Sequence, residues 1–216
     1  MKREAYFTTE TIATKSRAML DDLASIRTRH ADIAFRSECA ALLVLDMQNY
    51  FLREASHAFI PSAPAILPNI QNLIHDFHAH GLPVIFTCHV NTDADAGMMS
   101  RWWRDVIHPD SQAGAIHSSL DVAKGIVLEK TQYDAFYNTV LDETLRGRGV
   151  EQVVITGVMT HLCCETTARS AFVRGFEVFF CVDGTATYAE KFHRASVLNL
   201  SHGFVLPVLC EEIVNS

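Results

Sequence analysis

Short, unbroken apolar runs alternate along most of this chain with stretches in which apolar residues recur every three or four positions. Ala41-Leu-Leu-Val-Leu45 is such a run, closed by Asp46, and predicts a strand buried on both faces. Ile66, Ile70, Leu73, Ile74 and Phe77 share one helical face, and that helix should stop near Gly81-Leu-Pro83. Strands are then predicted at 84–87, at 126–128 leading to Lys130, at 153–155, 178–182 and 204–206, with helices over 140–146, 166–174 and 191–202. Strand and helix alternating in this way predict an α/β fold, a three-layer α-β-α sandwich around a mostly parallel sheet. Residues 1–38 differ. Ile12, Met19, Leu20, Leu23 and Ile26 recur at helical spacing behind the capping residues Thr8 and Thr9, predicting a helical N-terminal arm ahead of a domain spanning 39–216. The arm has the pattern to pack on its own domain or on a neighbouring subunit.

Composition narrows the function. The 216 residues are 49% hydrophobic and 20% charged, with a net charge of −7. A single domain of this kind is not disordered, and it lacks the basic footprint of a protein whose partner is nucleic acid or an anionic membrane. No run approaches the roughly 18 apolar residues of a membrane span, and the N-terminus lacks the apolar core of a secretory signal, so the expected location is cytoplasmic. The six cysteines form no C-x-x-C pair, which argues against a zinc cage and for mostly buried thiols. A small-molecule enzyme is the reading left. The polar segment from His89 to His117 is long for a connection and is a candidate substrate cover.

In open parallel sheets, sites form beyond the C-terminal strand ends. Asp46 and Lys130 end two predicted strands, and Cys163 follows a third. A carboxylate, an ammonium and a thiol thus meet the requirements of nucleophilic catalysis: a nucleophile, a base for its proton and a cation to hold the charges. Gly157 frees the chain to turn after the strand, and a helix opening at Cys163 would favour the thiolate. Cys164, about 100° round the helix, belongs to the core. Gln48 and Tyr133 are candidate pocket residues, and the adjacent Trp102 and Trp103 are candidate lid aromatics.

Leu45-Asp46-Met-Gln48, Glu129-Lys130 with Tyr133-Asp-Ala-Phe136-Tyr, and Thr156-Gly-Val-Met-Thr-His-Leu-Cys163-Cys-Glu-Thr-Thr-Ala together resemble the isochorismatase-like cysteine hydrolase superfamily over about residues 40 to 210. The resemblance implies an Asp46-Lys130-Cys163 triad, a non-proline cis bond at Met159-Thr160, an oxyanion hole from the Thr160 and Cys163 amides, a substrate contact from His161, and a homo-oligomer, a dimer or larger. It implies no cofactor. Members that keep the cysteine hydrolyse amides or ureido groups, whereas isochorismatases cleave a vinyl ether and usually carry glycine there. Cys163 therefore favours C–N hydrolysis; the alternatives are vinyl-ether hydrolysis with Asp46 as proton donor, and a non-catalytic binding or assembly module. Nicotinamidases of the superfamily also bind a metal after the second strand. Here that stretch, Cys88-His89-Val-Asn-Thr-Asp93-Ala-Asp95, lacks their pattern and leaves His89, Asp93 and Asp95 as a weak ligand set.

Overall fold

The apolar runs become the strands of one sheet in the computed structural model, which describes residues 2–215. An irregular segment leads into α1 (Ile12–Asp21) and α2 (Ala24–Arg29), then β1 (Ala40–Leu45), α3 (Asn49–Leu52), α4 (Ala63–Ala79), β2 (Val84–His89), α5 (Met98–Trp102) and β3 (Ile126–Lys130). The second half runs through α6 (Leu141–Arg146), β4 (Gln152–Val158), a π-helical turn (Thr160–Cys164), α7 (Glu165–Val173), β5 (Glu177–Ala186), α8 (Glu190–Gly203), β6 (Leu206–Val208) and α9 (Cys210–Val214). The six strands lie in the order β3-β2-β1-β4-β5-β6, every neighbouring pair parallel, with helices flanking the sheet. Strand order reverses between β1 and β4, and the crevice at their C-terminal ends is where such a sheet binds ligands.

β1 and β4 are buried at every residue, as central strands covered on both faces must be. Their close approach depends on Gly157, which pairs with Leu45 at φ +110°; a Cβ there would lie 2.1 Å from the Leu45 carbonyl oxygen. The arm packs on its own domain. Tyr6 and Phe7 are buried, the Tyr6 hydroxyl accepts the Thr187 N–H at 3.0 Å, and the Glu4 N–H donates to the Tyr188 carbonyl at 2.8 Å.

Four expectations are corrected. The last strand is 206–208, not 204–206, because the Phe204 and Val205 N–H groups both bond the Leu200 carbonyl and finish α8 first. β4 and β5 continue past their apolar runs into Thr156, Gly157 and residues 183–186, polar or small positions that the sheet pairs all the same. Cys163 sits within the π turn rather than at a helix opening, since α7 begins only at Glu165. The cis bond is Val158-Met159, one bond before Met159-Thr160: β4 runs through Val158, so the departure from the sheet begins there.

Candidate active site

Three strand ends bring the chemistry together. Asp46 follows β1 with φ 51°, a left-handed conformation that Asp tolerates better than most residues, and its carboxylate is turned inward and wholly buried. Its Oδ1 accepts the Thr87 hydroxyl at 2.6 Å, and the Asp46 N–H donates to the Thr87 Oγ1 at 3.1 Å. Its Oδ2 lies 2.8 Å from Lys130 Nζ, with neither side chain exposed. Lys130 Nζ also donates to the Gln132 carbonyl at 2.8 Å and reaches His89 Nδ1 at 3.4 Å and Cys163 Sγ at 3.5 Å. The Asp46 carboxylate, a His89 ring nitrogen and Cys163 Sγ lie within 4.8 Å of one another, around the ammonium.

The charge states follow from this packing. Burial, the largest single influence, would raise the Asp46 pKa, but the Lys130 ammonium, His89 and the hydrogen bonds from Cys163 and Lys130 together outweigh it and hold the carboxyl below its ordinary range. Burial would likewise depress Lys130, yet Asp46 and Cys163 keep it above the usual lysine value. Burial, with Asp46 adding to it and Lys130 opposing, pushes the Cys163 thiol well up. The resting site is therefore an ionised carboxylate, an ammonium and a neutral thiol, and the expected bias toward thiolate is corrected: desolvation outweighs the lysine.

His89 stays neutral, its pKa lowered by burial and by Lys130. Its Nε2 pairs with Asn91 Oδ1 at 3.0 Å, and Asn91 Nδ2 donates to Asp95 Oδ1 at 3.0 Å and to the Thr131 carbonyl at 3.1 Å. With its Nε2–H given to Asn91, His89 has only Nδ1 to offer, and that atom faces the lysine. Asp95 is further held by the Thr92 N–H and hydroxyl, and Asp93 is exposed. His89, Asp93 and Asp95 thus do not fit a metal. Among the described residues, the potential donors that do converge surround the Lys130 ammonium, which already supplies the positive charge there.

A cavity of about 350 Å³ opens above Cys163. Phe51, Met99, Ile107 and Met159 supply apolar wall, and His89, Asn91 and Tyr133 line it with Cys163. Trp103 also lines it, its indole N–H donating to the Tyr133 hydroxyl at 2.7 Å. Met99 and residues 103–107, from the predicted cover, also line it. Trp102 does not share this role. It is 73% exposed, because adjacent residues at the end of α5 diverge. Gln48 is corrected too. Its amide accepts the His89 N–H at 2.9 Å and donates to the His89 and Gly114 carbonyls, so it clamps the ends of the cover and does not line the cavity. His161 stacks on Phe192 at 4.7 Å and shares a 2.7 Å hydrogen bond with Thr187, away from the cavity. Thr160 is buried, its hydroxyl 3.1 Å from His193 Nδ1. Thr87, Asn91, Arg3 and His193 carry no local signal in the sequence, since each acquires its place only through contacts made by distant elements.

A family model described as the isochorismatase domain matches residues 40–212. The chain is 39% identical over 202 residues to Nicotinamidase 3 of Arabidopsis thaliana, covering 90% of this chain and 98% of that one. It is 30% identical over 186 residues to enterobactin synthase component B of Escherichia coli (strain K12), covering 85% of this chain and 65% of that protein. Among solved structures, a cysteine hydrolase from Pseudomonas syringae pv. phaseolicola 1448A superposes with a TM-score of 0.80 at 24% identity, covering 84% of this chain and 93% of the other.

Proposed function

The chain belongs to the isochorismatase family of hydrolases, and on that premise we propose that it cleaves the C–N bond of a small amide or ureido substrate through a Cys163 thioester. The observation that carries this reading is the buried Cys163 Sγ 3.5 Å from the Lys130 ammonium, which lies 2.8 Å from the Asp46 carboxylate. Such a carboxylate is a base in waiting. Asp46 takes the thiol proton as Sγ bonds to the carbonyl carbon, and backbone amides of the turn that carries Cys163 hold the oxyanion. The tetrahedral adduct collapses, the C–N bond breaks, and Asp46 returns the proton to the departing nitrogen. Water then attacks the thioester, Asp46 takes its proton and passes it to Sγ, and the acid leaves. Lys130 keeps Asp46 ionised before each transfer and compensates the charge on Sγ.

The nicotinamidase name of the 39% identical relative denotes amide hydrolysis and supports the same reading. Vinyl-ether cleavage asks instead for a proton donor, and a carboxyl held below its ordinary range is poorly suited to that role. Cys163→Ala separates the two. It is expected to lower turnover of a panel of amides and ureides by about 10³-fold or more, with an unchanged circular dichroism spectrum, and wild type should yield an acyl adduct on Cys163 in quenched mass spectra. Full activity of the variant, or turnover of isochorismate alone, would remove the thioester mechanism.

A further inference from the structure

We propose that Arg3 and Arg104 form a carboxylate-recognising site at the mouth of the cavity, so that the favoured substrate carries an anionic group opposite its scissile amide or ureide; the substrate part of this rests on the C–N reading above. Arg3 and Arg104, both exposed, are among the residues that line the cavity above Cys163. Arg3 arrives from the N-terminal segment and is held in place. Its guanidinium lies 4.5 Å over the Tyr188 ring, its Nη1 donates to the Phe59 carbonyl at 3.2 Å, and the next residue is tied to Tyr188 through the backbone. A guanidinium has five N–H donors in a planar fork, so most of them stay available to a ligand.

The nearby carboxylates are already engaged. Asp105 accepts the Tyr50 hydroxyl and lies 3.2 Å from His57 Nε2, and Glu4 Oε2 accepts the Glu190 N–H at 3.1 Å. Among the described residues, neither Arg3 nor Arg104 has a carboxylate partner. Asp105 lines the same cavity, so the two arginines leave a local excess of one positive charge in a chain of net charge −7. With Phe51, Met99, Ile107 and Met159 lining the same cavity as the thiol and the arginines, it fits a compact ligand with an apolar body, a carbonyl at Cys163 and a carboxylate at the arginines.

The probes are 3-carbamoylbenzoate and its methyl ester, alike in shape and different in charge. Binding is measured by titration calorimetry on the Cys163→Ala protein, which blocks turnover, with and without Arg3→Gln, Arg104→Gln or both. The acid is expected to bind about tenfold or more tightly than the ester. Removing both arginines should erase that preference, Arg3→Lys should keep part of it, and Arg148→Gln, an equal charge change on an exposed residue remote from the cavity, should leave it intact. Equal binding of acid and ester, binding of neither, or a preference that survives loss of both arginines would overturn the site. Turnover of the two amides by wild type is scored separately. If neither is cleaved while the arginine-dependent preference holds, the C–N reading fails and the anion site stands.

Discussion

At the residue level, the Asp46–Lys130 pair is the feature on which both stability and chemistry turn. Each charge is tolerated in the interior because the other is 2.8 Å away and because Thr87, Gln132 and His89 occupy further hydrogen-bonding positions. Removing one partner strands the other. Asp46→Asn is therefore expected to lower the unfolding free energy by about 3–5 kcal/mol, read by urea denaturation, and Asp46→Asn with Lys130→Met should recover much of that loss. A single substitution that costs under about 1 kcal/mol would show that Lys130 finds other compensation. Asp46, Lys130 and Cys163 were legible in the sequence because each closes or follows an apolar run. Gln48 and His161 were misread because proximity to a strand end does not say which way a side chain turns: Gln48 is taken up by backbone groups of the cover, and His161 by Phe192 and Thr187.

Among the elements, the central one is the β1–β4 pair that sets Asp46 and Cys163 at a common rim. Gly157 makes its geometry possible, through both its positive φ and the absence of a Cβ against Leu45. A methyl group placed 2.1 Å from a backbone oxygen has no flexible neighbour to displace. Gly157→Ala is expected to push β4 away from β1 and to remove activity and most of the cooperative unfolding transition, both measurable on purified protein; a variant with native melting and native turnover would show that the strand pair can yield. The alternation of runs made these strands legible, whereas their ends were not, since pairing carries β4 and β5 through residues with no hydrophobic signature. The π turn was equally invisible, because a single extra residue in a helical turn leaves the apolar spacing almost unaltered.

Over the whole molecule, the arm, α8 and the π turn meet at His193, which is fully buried between Tyr6 and Thr160. Burial pulls its pKa down to about 3. The unfolded chain therefore binds a proton that the folded one refuses: this contribution to stability is complete above the ordinary histidine value near 6.5 and shrinks as pH falls from there toward about 3. Between those limits His193 should contribute a slope of about 1.4 kcal/mol per pH unit. Urea melts from pH 7 to pH 4.5 are expected to show a shallower acid decline in His193→Asn than in wild type, whatever the offset between the two curves; parallel declines would show that His193 protonates in the folded state. The sequence by itself determined the fold class and the three residues at the rim, because hydrophobic periodicity and the residues that end it are local properties. Only the tertiary structure decided that the thiol rests neutral, that the lysine ammonium sits where the other donors converge, and that Arg3 reaches the cavity from 160 residues before Cys163. Burial, charge compensation and long-range approach are set by what the folded chain places around a group, which no local pattern encodes.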